Sequence, residues 1–394
     1  MVPMAHYDVI IIGAGPAGLS AANILKHERT VLVIDEYYHH GGRLLGQLYE
    51  ESKGNWWNGM AVADKLYRQL DDQVTFSLST SVYNVEKEHS IFTVYTDKGN
   101  FTSGHLIAAT GSKENASPMP GWELPGVMTV GAAQVLTNFQ RVAPGESGVV
   151  IGINPLSMVI SMELGYADVE VRKICLPAEN KINSVTPKDA LETLLSLGQS
   201  APSKFLAVAA DVGNRLSLLH GFALKLFPSN GVKALGLPIS IKERVIRING
   251  TDKVESVTTV KTRSDGSVIK GTEKEIACDF VCISDGLSPV NEITSLFNLK
   301  HVYIESLGGY IPLHSEKMET EVENLYVAGN ITGIESAKIA MLQGEIAAHH
   351  ISGDTEAVKK TLKDIAKERK KATVKFHKDV DAGREKLQLY WLAK

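Results

Sequence analysis

The run from Asp8 to Gly13 is apolar, β-branched and stopped by a glycine, the pattern of a strand buried on both faces. Helical spacing follows from Leu19 to His27, and a second apolar run, Thr30 to Ile34, ends at Asp35. Together they predict a βαβ unit. Residues 74–111 predict several strands broken by polar turns, with Asp97 to Asn100 turning a hairpin. A second strand–glycine–helix unit begins at Gly148 to Gly152, and alternating segments around 237–262 and 276–284 predict further sheet. Val358, Leu362, Ile365 and Ala366 recur at helical spacing near the end of the chain. The apolar region Phe205 to Phe227 is broken by Asp211, Arg215, His220 and Lys225, so no membrane span is expected there. Val9 to Ile12 is too short for a signal-peptide core.

Composition narrows this little. A chain of 394 residues with 44% hydrophobic and 22% charged residues is an ordinary folded protein of two to three domains. A net charge of −4 gives no reason to expect nucleic-acid binding. The charge is unevenly placed, however. Residues 355–394 hold 12 Lys/Arg against 6 Asp/Glu, a local +6 beside about −10 elsewhere. That basic amphipathic helix, with the apolar end Leu387 to Leu392, either caps the fold or meets a partner. Three cysteines make no disulfide framework and too few ligands for an iron–sulfur cluster, so a reducing, cytoplasmic home is expected. Cys278 and Cys282 fall in one strand-like run, ~13 Å apart by strand rise, and are read as core thiols.

The first glycine loop is Gly13-Ala14-Gly15-Pro16-Ala17-Gly18. It follows a strand, opens a helix and is completed by Asp35 at the end of the next strand, which together mark a dinucleotide site. Gly13 permits the tight turn, Gly15 lets backbone approach a pyrophosphate, and Gly18 allows close helix–strand packing. The helix beginning near Pro16 directs free N–H groups at that pyrophosphate, and Asp35 would accept from a ribose.

With three further segments, the chain resembles the flavoproteins with two dinucleotide-binding domains, of the glutathione- and thioredoxin-reductase-like fold. These segments are Gly41-Gly42-Arg43, the stretch Leu106 to Gly111 containing Thr110, and Thr320 to Asn330 with Gly329. The resemblance implies an α/β fold of two Rossmann-like three-layer domains, the second inserted in the first, plus a C-terminal helical tail. The expected boundaries are 1–117 and 291–353 for the FAD-binding domain, 118–290 for the inserted NAD(P)-binding-like domain, and 354–394 for the basic helical tail. FAD would be held by Gly13, Gly15, Pro16, Ala17, Gly18, Asp35, Glu36, Gly42, Arg43, Gln47, Val82, Thr110, Gly111, Gly329, Asn330 and Ala337. Asn330 stands where the family usually has Asp and can still accept and donate to a ribityl chain. The helix within Gly333 to Gly344 would point its N-terminus at the flavin and favour an anionic reduced form.

The second loop, Gly152 to Ser157, keeps only the first glycine. Asn154 places a side chain where backbone should meet phosphate, and Ser157 is expected to loosen helix–strand packing. The following strand ends in Cys175-Leu176-Pro177 with no ribose acid, while Arg172 and Lys173 lie inside it. NAD(P) is thus a doubtful second cofactor. His39-His40 and His349-His350 lack an evident acid or Cys to complete a tetrahedral set, so they are read as solvated polar residues and no metal is expected. Trp56-Trp57 either forms a partner or ligand surface or packs under its loop.

Segments Gly42 to Gln47, Pro118 to Met128, Gly308 to Pro312 and Gly329 to Gly344 narrow the resemblance. They are similar to FAD-binding subunits of sarcosine and opine oxidases, dye-linked proline dehydrogenases and hydrogen cyanide synthase. That implies oxidation of an amine or amino acid, with electrons passed to a partner subunit or to an external acceptor; a homo-oligomer is the other expected assembly. The alternatives are an NAD(P)H-dependent FAD reductase and a nucleotide-holding scaffold subunit. No catalytic residue is assigned.

Overall fold

The computed structural model describes residues 4–179, 185–198, 224, 226–372 and 375–394. Most of the apolar stretch 205–227 lies outside these residues. The described helices run in chain order as α1 (Pro16–Leu25), α2 (Gly59–Arg68), α3 (Val130–Asn138), α4 (Pro155–Tyr166), α5 (Pro187–Gly198), one-turn α6 (Glu292–Ser295), α7 (Ala337–Ile351), α8 (Thr355–Lys371) and α9 (Val380–Leu392). No described helix is long and apolar enough to cross a membrane.

Two compact units emerge. The first comprises Met1–Leu45, Asn58–Lys113 and Leu287–Lys394. Its sheet runs in the order Val74–Ser77, Val31–Ile34, Ala5–Ile12, Gly99–Ala108, Ile91–Thr96, Val82–Glu88, with Leu325–Val327 also pairing Gly99–Ala108. The pairs around Ala5–Ile12 are parallel, and the later hairpins are antiparallel. Asp97 and Lys98 turn the expected hairpin between Thr96 and Gly99. Alternation along the first strand explains its continuous apolar run. Val9 and Ile11 join the core with Ala17, Ala21 and Ile339, while Ile10 and Ile12 face Val85, Phe92 and Val94.

The C-terminal helices belong to this unit. On α8, Val358 and Ile365 enter the α1–α7 core, and on α9 Val380 and Leu387 pack with Val302, Ile304 and Ile311. Trp391 packs against the same cluster, so this aromatic folds back onto its own chain.

The second unit comprises Gly46–Trp57 and Glu114–Gly286. Its sheet runs Val127–Thr129, Phe280–Ile283, Ser147–Ile151, Glu170–Leu176, Leu237–Asn249, Ser256–Lys261, Lys274–Ala277, with Val232–Ala234 against Leu237–Asn249. The first four pairings are parallel. The supposed single strand through Cys278 and Cys282 is two strands, broken at Cys278 and Asp279, where Asp279 accepts from the Glu146 and Ser147 amides at 2.8 and 2.9 Å.

Candidate functional site

Each glycine of the first loop does a different job. Gly13 sits at φ +115°, and a Cβ there would lie 2.3 Å from the Ala109 carbonyl oxygen. A Cβ on Gly18 would lie 1.9 Å from the Gly13 carbonyl oxygen, so helix and loop touch through backbone. At Gly15 a Cβ would meet nothing within 4 Å. Gly15 is the N-cap of α1 and offers no side-chain cap, while Pro16 begins the helix. The space beside Gly15 is thus open at the start of α1, and no Gly15 side chain caps the first-turn N–H groups. A cradle of this shape fits a pyrophosphate.

Gly42 and Gly329 close in on this cradle. A Cβ on Gly42, at φ +53°, would come within 3.1 Å of the Gly15 Cα, and one on Gly329 within 3.0 Å of the Ala17 Cβ. The Gly329 N–H donates to Gln343 Oε1 at 3.0 Å, while Gln343 Nε2 is buried without a partner among the described residues. The resemblance of Gly333 to Gly344 assigns Gln343 no role, and only the fold brings its side chain here. The Asn330 side-chain oxygen accepts from the Glu335 N–H at 3.2 Å. Ser336 caps α7 ahead of Ala337.

Asp35 has an unforeseen role. Its Oδ2 accepts from the Ala14 N–H at 2.6 Å and its Oδ1 from the Tyr37 N–H at 2.8 Å, tying the glycine loop to the second strand. Burial raises its pKa, outweighing these two bonds. Glu36 beside it is exposed. Arg43 donates twice to the Ser112 carbonyl, at 3.0 and 2.8 Å, and the Thr110 hydroxyl donates to the Val290 carbonyl at 2.7 Å. Gly111, at φ +73°, has open space on its side-chain face. Val82 packs against the core of Ile10, Leu32 and Phe92. Gln47 falls in the second unit, where it accepts from Trp57 Nε1 at 2.9 Å. Trp57 is buried and Trp56 is exposed against Tyr166, so the pair divides between packing and surface.

The second loop is closed from within. Gly152 keeps its role, since a Cβ there would lie 1.9 Å from the Ser284 carbonyl oxygen. Asn154 caps α4, accepting from the Ser157 N–H at 3.0 Å, and Ser157 Oγ accepts from the Asn154 N–H at 3.1 Å. The Asn154 amide also donates to Ser284 O and Oγ at 3.1 and 3.0 Å. Rather than loosening the loop, Ser157 is fully buried and locks it. Lys173 pairs with the buried Glu243, so it too is engaged within the fold.

Two other expectations need correction. His40 is buried rather than solvated, stacked on Tyr67 at 4.0 Å, with Nε2 3.3 Å from Asp64 Oδ1. The acid comes from α2, beyond the reach of local spacing, and His39 stacks on His40 at 4.4 Å. One ligand atom from each of His39, His40 and Asp64 lies within 4.8 Å of the others. His350 pairs with Glu319 at 2.8 Å. All three cysteines are buried and free, and burial pushes the Cys278 thiol up to about 11 and the other two higher. Such thiols are poor nucleophiles for disulfide exchange.

Two α/β units, one opening a glycine cradle beside a strand-end acid, define a nucleotide-dependent oxidoreductase. The chain belongs to the pyridine nucleotide-disulphide oxidoreductase family, whose pattern matches residues 7–192 and 229–344. That family binds FAD and also uses NAD(P), and the chain is an FAD-dependent oxidoreductase. An opine oxidase component from Rhizobium meliloti (strain 1021) is 26% identical over 360 residues, covering 88% of this chain and 70% of the relative. The crystal structure of L-proline dehydrogenase from P. horikoshii has a TM-score of 0.64 at 19% identity, covering 92% of this chain and 60% of that one. Thioredoxin reductase of T. acidophilum has a TM-score of 0.62 at 18% identity, covering 89% and 99%. The chain thus spans well short of the full length of the first two.

Proposed function

We propose that this chain oxidises a secondary amine or amino acid of the sarcosine, proline or opine type and passes the electrons to a partner subunit or external acceptor. The observation that carries this reading is the contrast between the two glycine loops. The α1 N-terminus is open, while the α4 N-terminus is filled by its own Asn154–Ser157 cap. A nicotinamide dinucleotide would have to break that cap, so electrons enter from another donor. The relatives named for opine oxidation and proline dehydrogenation support an amine as that donor.

In this reading the first unit is the FAD-binding domain and the second a nucleotide-binding-like domain. The backbone of Gly13 to Gly18 receives the pyrophosphate, Asp35 and Glu36 flank the adenosine ribose, and Gly329, Asn330 and Ala337 approach the ribityl and flavin end. FAD, when bound, supplies the hydride acceptor. The protein's own contribution is to hold the α7 N-terminus in place and to exclude NAD(P)H through Asn154. The buried thiols fit a reducing, cytoplasmic setting.

The test is steady-state turnover of the purified protein with an artificial electron acceptor. Sarcosine, proline and opines are compared with NADH and NADPH. An amine that turns over while the nicotinamides do not supports the proposal. Saturation by NADH or NADPH at micromolar concentration with no response to amines overturns it in favour of a reductase. No turnover with any donor, despite bound FAD, would point to a scaffold subunit.

A further inference from the structure

Glu335 lies two residues before α7, and its side chain is buried, 7% exposed. Arg369, in the last turn of α8, meets it with both prongs of the guanidinium, Nε to Oε1 at 2.8 Å and Nη2 to Oε2 at 2.9 Å. Arg384, on α9, donates to the same carboxylate. It also donates to the Thr332 carbonyl at 2.5 Å and the Gly333 carbonyl at 3.3 Å. The Glu335 N–H in turn donates to the Asn330 side chain. Two arginines from the C-terminal helices thus hold both the middle and the end of the turn from Gly329 to Ser336. This is the turn that brings Gly329 against Ala17 and leads into the α7 N-terminus.

The charges matter as much as the geometry. A lone carboxylate just ahead of α7 would bring a full negative charge where the helix dipole presents a positive end. Burial pushes the Glu335 carboxyl up, but the Arg384 and Arg369 charges outweigh it and hold it ionised, below the usual carboxylate range. His314 packs near both arginines, and burial takes it down to about 4, so it is neutral at pH 7. One carboxylate and two guanidiniums give this cluster a single net positive charge, beside the Lys338 ammonium in the first turn of α7. A bidentate arginine holds its carboxylate in a fixed plane, so the charge is also well placed.

We propose that Arg369 and Arg384 are positioning residues that act through Glu335, fixing the turn from Gly329 to Ser336 and giving the cluster ahead of α7 one net positive charge that favours electron-rich flavin. This rests on the FAD reading above, and it gives part of the basic C-terminal region an internal task instead of a docking one. Arg384→Met removes a positive charge and Glu335→Gln removes a negative one, so the two variants shift the local charge in opposite directions. A purely structural role would make both worse.

The experiment uses the full chain reconstituted with FAD and titrated with sulfite, which adds reversibly to oxidised flavin and binds more tightly where positive charge is near. FAD retained per chain after gel filtration is read in parallel. Arg384→Met is expected to raise the sulfite dissociation constant about tenfold and to lose FAD, with Arg384→Lys recovering most of both. Glu335→Gln removes the carboxylate that both arginines hold, so it is expected to retain less FAD, and in the FAD-loaded fraction to lower the sulfite constant about threefold. Should Arg384→Met fail to fold, the Glu335→Gln and Arg384→Lys results still decide. Unchanged or weaker sulfite binding in Glu335→Gln, with FAD retained, overturns the inference alone. A wild-type chain that keeps no FAD after reconstitution overturns the FAD reading and the inference with it.

Discussion

Gly15 and Gly18 stand three residues apart and differ in what a side chain would meet, which separates cofactor binding from folding. Gly15→Val enters open space at an ordinary φ, so it should cost about 1 kcal/mol as a poor N-cap while removing FAD retention. Gly18→Ala drives its Cβ into the Gly13 carbonyl and should cost more than about 4 kcal/mol. Thermal melts of the apoproteins with FAD content after gel filtration check the pair; equal melts would contradict it. Glu163 makes a different residue-scale claim. It is 2% exposed, and burial outweighs its bonds from Gln134 and Asn138, raising its pKa from 4.5 to about 7. The folded chain therefore keeps a proton that the unfolded chain releases. The stabilisation is full below about pH 4.5 and is lost as pH rises through about 7, for a total of about 3 kcal/mol. Urea midpoints at pH 5 and pH 8 should differ in the wild type and converge in Glu163→Gln; an undiminished difference in the variant would sink the assignment. No sequence signal marked Glu163, because its partners lie 25 and 29 residues away.

At the scale of elements, the two strand–glycine–helix units show what local pattern can carry. The strand, turn and helix of the first were legible, since they are specified within one short stretch, whereas the bonds by which Asp35 ties the loop together were not. The second was legible only as a departure. Asn154 and Ser157 stand out in the sequence, but that they satisfy each other and Ser284 depends on a strand 130 residues on. That cap predicts a trade. Asn154→Gly should lose only a few tenths of a kcal/mol as a cap but about 1 kcal/mol through its bonds to Ser284, and should open the α4 N-terminus. Nicotinamide binding, followed by quenching of intrinsic fluorescence, should improve only modestly because no ribose acid follows Glu170–Leu176. A variant as stable as the wild type would show that the cap does not hold the loop. The histidine pairs and the C-terminal arginines make the same point. Their charge was visible, whereas Asp64, Glu319 and Glu335 come from elements that only the fold brings near.

On the scale of the whole molecule, each unit builds a mixed, mostly parallel sheet around a strand that ends in glycine, but the helix after it carries a side-chain N-cap only in the second. The basic C-terminal region illustrates how composition leaves alternatives open at this scale. Its +6 charge left open a cap on the fold or an arm for a partner, and Arg369 and Arg384 turn inward with Leu387 fully buried. The exposed Leu389 and Leu392 remain on its outer face. The account turns on which donor reduces the flavin. Anaerobic stopped-flow mixing of the FAD-loaded chain with a secondary amine or amino acid, and separately with NADH and NADPH, compares them directly through the flavin absorbance. The account predicts rapid, saturable bleaching by one of the sarcosine, proline or opine donors and only slow, non-saturating bleaching by either nicotinamide; saturable bleaching by NADH or NADPH with none by any amine would contradict it.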